Sequence, residues 1–255
     1  MVEGLKDKVA IVTGGGHGIG KAYCLAFGRA GTRVVVADID GPAAQQVAAQ
    51  MDREGAKALG LRVDVADEES TRRMAAVTLE HFGRIDVLVN NAAIFATIPM
   101  NRGGIETIDP AEWDRMMAVN LKGVFFCARA VLPTMRAQKS GKIINIASGT
   151  VLYGSAGRIH YVTSKAGVIG FTRTLAREVG DDNIQVNCIA PGSTLSEENP
   201  TEAVIHMRQA AVQARALKRI QKPEDLVGTM LFLASPLSDF MTGQTVSVDG
   251  GQNFL

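Results

Sequence analysis

Lys8-Val-Ala-Ile-Val-Thr13 runs into Gly14-Gly15-Gly16-His17-Gly18-Ile19-Gly20, and the reading of this stretch decides the fold. The first six residues are a short apolar run rich in branched side chains, as suits a buried strand. A helical pattern begins at Gly18. The glycines between them follow the spacing G-x-x-x-G-x-G through Gly14, Gly18 and Gly20, not the commoner G-x-G-x-x-G. The physics is the same for both spacings. Missing side chains let the backbone and the next helix's N-terminus close on a pyrophosphate, whose charge the helix dipole favours. His17 and Ile19, on either side of Gly18, belong to the same expected cofactor-binding turn.

The alternation continues outward from this unit. Apolar runs at 8–13, 33–38, 58–64, 85–90, 142–148, 184–190 and 245–248 read as strands, and their continuous apolar character fits a parallel sheet covered on both faces. Helical patterns lie between them at 18–30, 42–54, 68–82, 110–138, 158–180 and 223–234. The helix at 110 has a clear start: Asp109 can cap it, Pro110 takes the first helical position and Glu112 completes a capping-box-like pattern. No linker rich in Pro, Gly or Ser divides the chain, so an α/β fold in one domain is expected. Two stretches break the pattern, 96–108 and 192–200. The second leads into a further helix ending near 218, and the segment 193–218 is expected to form a lid where open sheets bind ligands.

Composition narrows the function classes. The 255 residues are 46% apolar and 21% charged with a net charge of +1, which leaves no footprint for nucleic acid or an acidic membrane. No signal peptide is expected ahead of the first strand, and no apolar run approaches the length of about 20 residues needed to span a bilayer. Cys24, Cys127 and Cys188 lie far apart among apolar neighbours and read as core residues of a reducing compartment, the cytoplasm. No metal site is expected.

The chemistry centres on Ser148, at the end of an apolar run, and on Tyr161-Val-Thr-Ser-Lys165. A phenol and an ammonium at i,i+4 share a helix face, with Cβ atoms about 5–6 Å apart. A nearby cation favours phenolate, so the phenol can exchange protons below its free value of about 10. That makes an acid/base for an alcohol or a ketone. His160 points about 100° away from Tyr161 on a helix and reads as rim or packing. Asp38, ending the second strand, can accept hydrogen bonds from ribose hydroxyls and would repel a 2′-phosphate. No Arg or Lys follows it, so NAD is expected over NADP, with Asp40 equally able to cap the helix at Pro42.

As an ordered set, TGGGHGIG at 13–20, Asp64-Val65, Asn90-Asn91-Ala92-Ala93, Asn120, Ser148, Tyr161 with Lys165, and Pro191-Gly192 resemble the short-chain dehydrogenase/reductase family. The likeness runs from about residue 5 to Asp249-Gly250-Gly251. It implies a single Rossmann-type domain over 1–255, a doubly wound seven-stranded parallel sheet with helices on both faces, and a homotetramer. It also implies roles. Tyr161 is the acid/base; Lys165 lowers its pKa and holds the nicotinamide ribose; Ser148 hydrogen-bonds the substrate oxygen. Asn120 holds a water in a proton relay to the lysine. Asp64 and Val65 meet the adenine ring, Asn91 lines the adenosine side, and Thr194 and Ser196 lie near the pyrophosphate and carboxamide. The substrate, a small alcohol or ketone, is expected against Ile94, Phe95, Thr150, Tyr153, Gly154 and Ser193.

Departures from the family pattern are local. Ala93 stands where glycine is usual, and Thr194 and Ser196 replace an aliphatic residue and a threonine. Two other readings remain open. One is an NADPH-dependent 3-oxoacyl-carrier-protein or acyl-CoA reductase, docking an acidic carrier on cations such as Lys139 and Arg177; Asp38 argues against it. The other is a non-catalytic nucleotide sensor, which would have no need of Ser148, Tyr161 and Lys165 together. Assembly would pair the helices at 110–138 and 158–180 between subunits, with Gly167 and Gly170 permitting close approach.

Overall fold

The computed structural model describes residues 3–95, 98 and 100–254. Its seven strands are β1 (Val9–Thr13), β2 (Arg33–Asp38), β3 (Ala58–Arg62), β4 (Val87–Asn90), β5 (Gly141–Ile146), β6 (Ile184–Pro191) and β7 (Thr245–Val248). They form one sheet in the order β3-β2-β1-β4-β5-β6-β7, and every pairing is parallel. Strand β3 stops short of the expected Asp64 because the Asp64 N–H turns away to the Ser70 hydroxyl. Strand β4 starts late because the Asp86 carboxylate, not a backbone carbonyl, takes the Val9 N–H.

Side chains alternate across the sheet, so its central strands feed two cores. On one face Val12, Val34, Val36, Val89 and Ile144 pack with Tyr23 and Phe27 of α1 (Gly18–Arg29), Met51 of α2 (Gly41–Arg53) and Met230 of α9 (Glu224–Ala234). On the other, Ile11, Val35, Leu88, Ile143 and Val186 meet Met74 of α3 (Glu68–Phe82), Met135 of α5 (Gly123–Gln138) and Leu175 of α7 (Ile159–Glu178). The chain is therefore doubly wound. Strand order reverses between β1 and β4, which opens a crevice at their C-terminal ends. The three cysteines are buried and free, as core residues.

The helix expected at 110–138 is one rod with a defect. Helix α4 (Pro110–Met117) passes through a π turn, Ala118–Lys122, into α5. Asp109 caps it by accepting the Ala111 N–H. Glu112 does not close a capping box; it accepts the Asn101 N–H at 2.6 Å and pairs with His160 at 3.2 Å. The rod is also more apolar than the expectation of no spanning run allowed. By length and composition Pro110–Gln138 could cross a membrane, with a mean hydropathy of 1.3 over its best window. Its Cys127, Val131 and Met135 fill the second core instead, so this apolar face serves packing against the sheet. Of the irregular stretch 96–108, residues Ala96, Thr97 and Pro99 lie outside the described residues. The expected lid carries α8 (Glu202–Val212).

Candidate active site

The glycine turn needs its glycines. Gly14 has φ +63°, and a Cβ there would stand 2.9 Å from the Ala92 Cα; a Cβ on Gly20 would overlap the Gly14 carbonyl oxygen. Only bare backbone lets β1 turn this tightly into α1. His17 precedes α1 and makes no side-chain cap, so the first-turn N–H groups stay available to an anion. The turn thus fits a pyrophosphate. Asn91 braces it, donating from Nδ2 to the carbonyls of Thr13 and Gly14, both at 3.1 Å. The resemblance had placed Asn91 along the adenosine side. It does line the cleft, but its amide is committed to holding the turn.

Beside the turn, Asp38 is 8% exposed, and its two oxygens accept the N–H groups of Gly16 (2.9 Å) and Asp40 (3.0 Å). Asp40 caps α2 through the Ala43 N–H and pairs with His17. These two contacts, the Ala43 bond first, hold its carboxyl below the usual range. The capping job therefore falls to Asp40, and His17 faces Asp40. Asp64 and Val65 line the same end of the cleft as Asp38 and Ile39.

The opposite part of the cleft gathers Ser148, just past β5, with Tyr161 and Lys165 on α7. Burial pushes the Tyr161 phenol up, and its contact with the Ser148 hydroxyl and the Arg158 charge pull it back. The expectation put that pull on Lys165. Its ammonium instead donates to the Ile146 carbonyl at 2.8 Å, and burial lowers it to about 8. Ser148 Oγ accepts from the Thr150 hydroxyl at 2.9 Å, in the short helix α6 (Thr150–Tyr153). This leaves the Ser148 proton free to donate elsewhere.

Asn120 sits in the π turn, fully buried. Its Oδ1 accepts the Ile94 N–H at 2.8 Å, and its Nδ2 faces Met116 Sδ and Ser164 Oγ. The side chain ties the helix to the segment after β4 through Oδ1, while its Nδ2 also reaches Met116 one turn back. His160 is also fully buried, its Nε2 against Glu112, so it is a packing residue and not a rim one.

The segment 193–218 lines the third side through Ser193, Thr194, Ser196 and Arg208. Thr194 bonds back to the Gly192 carbonyl, and Ser196 lies over Gly18. Ser193 is held by Arg208 through its hydroxyl and by Arg215 through its carbonyl, while Glu197 pairs with Arg208 at 2.7 Å. Thr150, Tyr153, Ser193 and Phe95 line the cleft as expected; Ile94 and Gly154 do not. Ile94 packs under Tyr161 with Met116. Among the lining residues that escaped the sequence reading are two arginines, Arg158 and Arg208. The signal was faint: one arginine precedes a helix, and the other lies within α8 on a segment read only as a lid.

The docking and assembly expectations change in detail. Lys139 is engaged with Asp182 at 2.6 Å. The space beside Gly167 is filled by Leu121 of the same chain, whereas nothing crowds Gly170.

Comparison with known proteins agrees with this geometry. The family model for short chain dehydrogenase matches residues 8–203. The chain is 37% identical over 255 residues to the BbsD subunit of a hydroxy(phenyl)methylsuccinyl-CoA dehydrogenase of Thauera aromatica, covering 99% of each. It is 37% identical to the 3-oxoacyl-acyl-carrier-protein reductase FabG of Thermotoga maritima, covering 97% of this chain and 98% of that one. An uncharacterised oxidoreductase of Mycobacterium tuberculosis is 42% identical over 96% of this chain and 97% of its own.

Proposed function

The chain belongs to the short-chain dehydrogenase/reductase family, and from that premise we propose that it reversibly oxidises a secondary alcohol to a ketone, with NAD as cofactor and Tyr161 as acid/base. One observation carries the reading. Ser148, Tyr161 and Lys165, all nearly buried, line the same cleft as the glycine turn. A nicotinamide held there would supply the acceptor for the hydride leaving the carbinol carbon. The N-terminus of α1 and the turn would hold the pyrophosphate, and Asp38 the adenosine ribose. Asp64, Val65, Thr194 and Ser196 line the remaining length. Ser148 would donate to the substrate oxygen, and Tyr161 would take the hydroxyl proton. Lys165, fixed on the Ile146 carbonyl, would orient the ribose beside the phenol. Asn120 acts through the Ile94 backbone, keeping that wall in place. The protein is read as one domain over 1–255 with the lid at 193–218, working in the cytoplasm.

A second reading is an NADPH-dependent reductase of 3-oxoacyl carriers, whose substrate class appears in the names of relatives. Asp38 opposes it, because a carboxylate already facing the turn would repel a 2′-phosphate. A homotetramer is proposed from the apolar surface groove of Met117, Leu121, Phe125 and Phe171, and light scattering tests it.

Ketone and 3-oxoacyl-thioester reduction, followed with NADH and NADPH, separates these readings. NADH-dependent turnover of ketones is expected. Tyr161→Phe should lower kcat by about 100-fold to 10,000-fold while NADH still quenches or enhances fluorescence on binding. Near-normal turnover in that variant would exclude Tyr161 as the acid/base. Tight NADH binding without turnover of any substrate would favour a nucleotide sensor.

A further inference from the structure

Beyond Tyr161 the cleft ends in two guanidiniums packed on one aromatic ring. The Arg158 and Arg208 guanidinium carbons lie 5.9 and 5.8 Å from the Phe95 ring centroid. That ring stands 5.0 Å from the ring of Tyr161. Both arginines line the cleft together with Ser148, Tyr153 and Tyr161. They arrive from separate elements, Arg158 from the residue before α7 and Arg208 from α8.

The two like charges repel each other, and taking them out of water adds to the cost. Burial weakens the hold of Arg158 on its proton, and the charges of Arg102 and Arg208 weaken it further. Glu197 offsets Arg208, although Arg208 Nε is buried without a partner. Among the described residues no carboxylate pairs with Arg158. The carboxylates that line the cleft, Asp38 and Asp64, stand at its other end with the glycine turn. The substrate end therefore holds excess positive charge next to an apolar ring. An anion entering there would relieve the repulsion, and a planar guanidinium fork matches a carboxylate.

We propose that the substrate is a hydroxy or oxo compound bearing a carboxylate, held by Arg158 with Arg208 while its reacting oxygen meets Ser148 and Tyr161. Arg158 precedes Tyr161 by about one helical turn, so the carboxylate lies only a few carbons from the reacting one. Phe95 forms the apolar wall between them. This inference rests on the hydride-transfer reading above.

The test compares 2-, 3- and 4-oxo acids with their methyl esters and with simple ketones, using NADH and NADPH. For at least one pair, kcat/KM should favour the acid by about tenfold or more, a typical contribution of one charge-assisted hydrogen bond. Added salt should raise KM for that acid and leave the ester's unchanged, a measurement that needs no variant. In Arg158→Gln the acid-to-ester ratio should collapse to within about threefold, mainly through KM, and Arg158→Lys should restore part of it. Esters reduced as well as their acids, or a ratio unmoved in Arg158→Gln, would overturn the inference; Tyr161-dependent reduction of esters or ketones would leave hydride transfer standing. If neither acids, esters nor ketones react with either cofactor, both readings fall.

Discussion

The Asp38 carboxylate accepts the Gly16 N–H at 2.9 Å, joining the end of β2 to the turn that follows β1. Its other oxygen takes the Asp40 N–H, so two backbone donors hold the carboxylate in one orientation at the cleft. A charge fixed in this way discriminates better than one on a mobile side chain, because it cannot swing aside from a 2′-phosphate. Asp38→Ser should raise KM for NADH by about 10- to 100-fold, the worth of a charged hydrogen bond, and lower KM for NADPH. Steady-state kinetics with both cofactors reads the ratio. An unchanged ratio would mean that Asp38 serves only the turn.

Asn120 offers a structural counterpart. Its Oδ1 is the partner of the buried Ile94 N–H, and Ile94 packs with Tyr161 and Met116. Asn120→Ala leaves that donor unpaired, which should cost about 1–3 kcal/mol in urea denaturation. Turnover should fall as well, since the wall beneath Tyr161 loses its tie. Unchanged stability would show that the Ile94 N–H finds another partner.

These two residues mark how far the sequence was legible. The central strands were readable because their apolar runs are continuous and bounded by glycine or a helical pattern, as in 8–13 before Gly14, whereas β3 and β7 carry weaker, interrupted runs. The Ser148, Tyr161 and Lys165 constellation was readable because two of its members share one helix face. The π turn at Ala118–Lys122 carries no sequence mark, since i→i+5 bonding uses no distinctive residue type. Glu112 looked like a capping-box residue because the pattern is local, whereas its actual partners, Asn101 and His160, come from distant segments. Arg158 and Arg208 were hidden for the same reason: their meeting over Phe95 depends on how three segments pack.

Lys165 gives a pH signature. Its folded pKa, about 8, lies below the ordinary 10.5, so between these values the unfolded chain binds more protons than the folded one. Stability attributable to this residue therefore rises with pH across that window; the burial penalty is full below about 8 and gone above 10.5. The difference amounts to roughly 3 kcal/mol. Cys188, whose thiol burial raises to about 11, acts in the opposite direction over part of the range. Comparing wild type with Lys165→Met isolates the lysine. The stability of wild type relative to the variant should climb between pH 8 and 10.5 in urea melts. A flat difference would place the ammonium in water.

Two ion pairs hold the segment 193–218, one to α1 and one within the segment itself, and their environments predict unequal strengths. Lys21 and Glu198 meet at 2.6 Å, but their side chains are 33% and 53% exposed. Solvent and salt screen such a pair, so Lys21→Ala should cost well under about 1 kcal/mol. Arg208 and Glu197 meet at 2.7 Å with side chains 3% and 21% exposed. Removing the Glu197 charge leaves a buried guanidinium with neutral partners alone, a costlier state. Glu197→Gln should therefore speed amide hydrogen exchange across 202–212 by about tenfold or more, while α7 stays protected. If Lys21→Ala loosens the segment as much as Glu197→Gln, burial does not set the strength of these pairs, and the surface pair to α1 holds the segment instead.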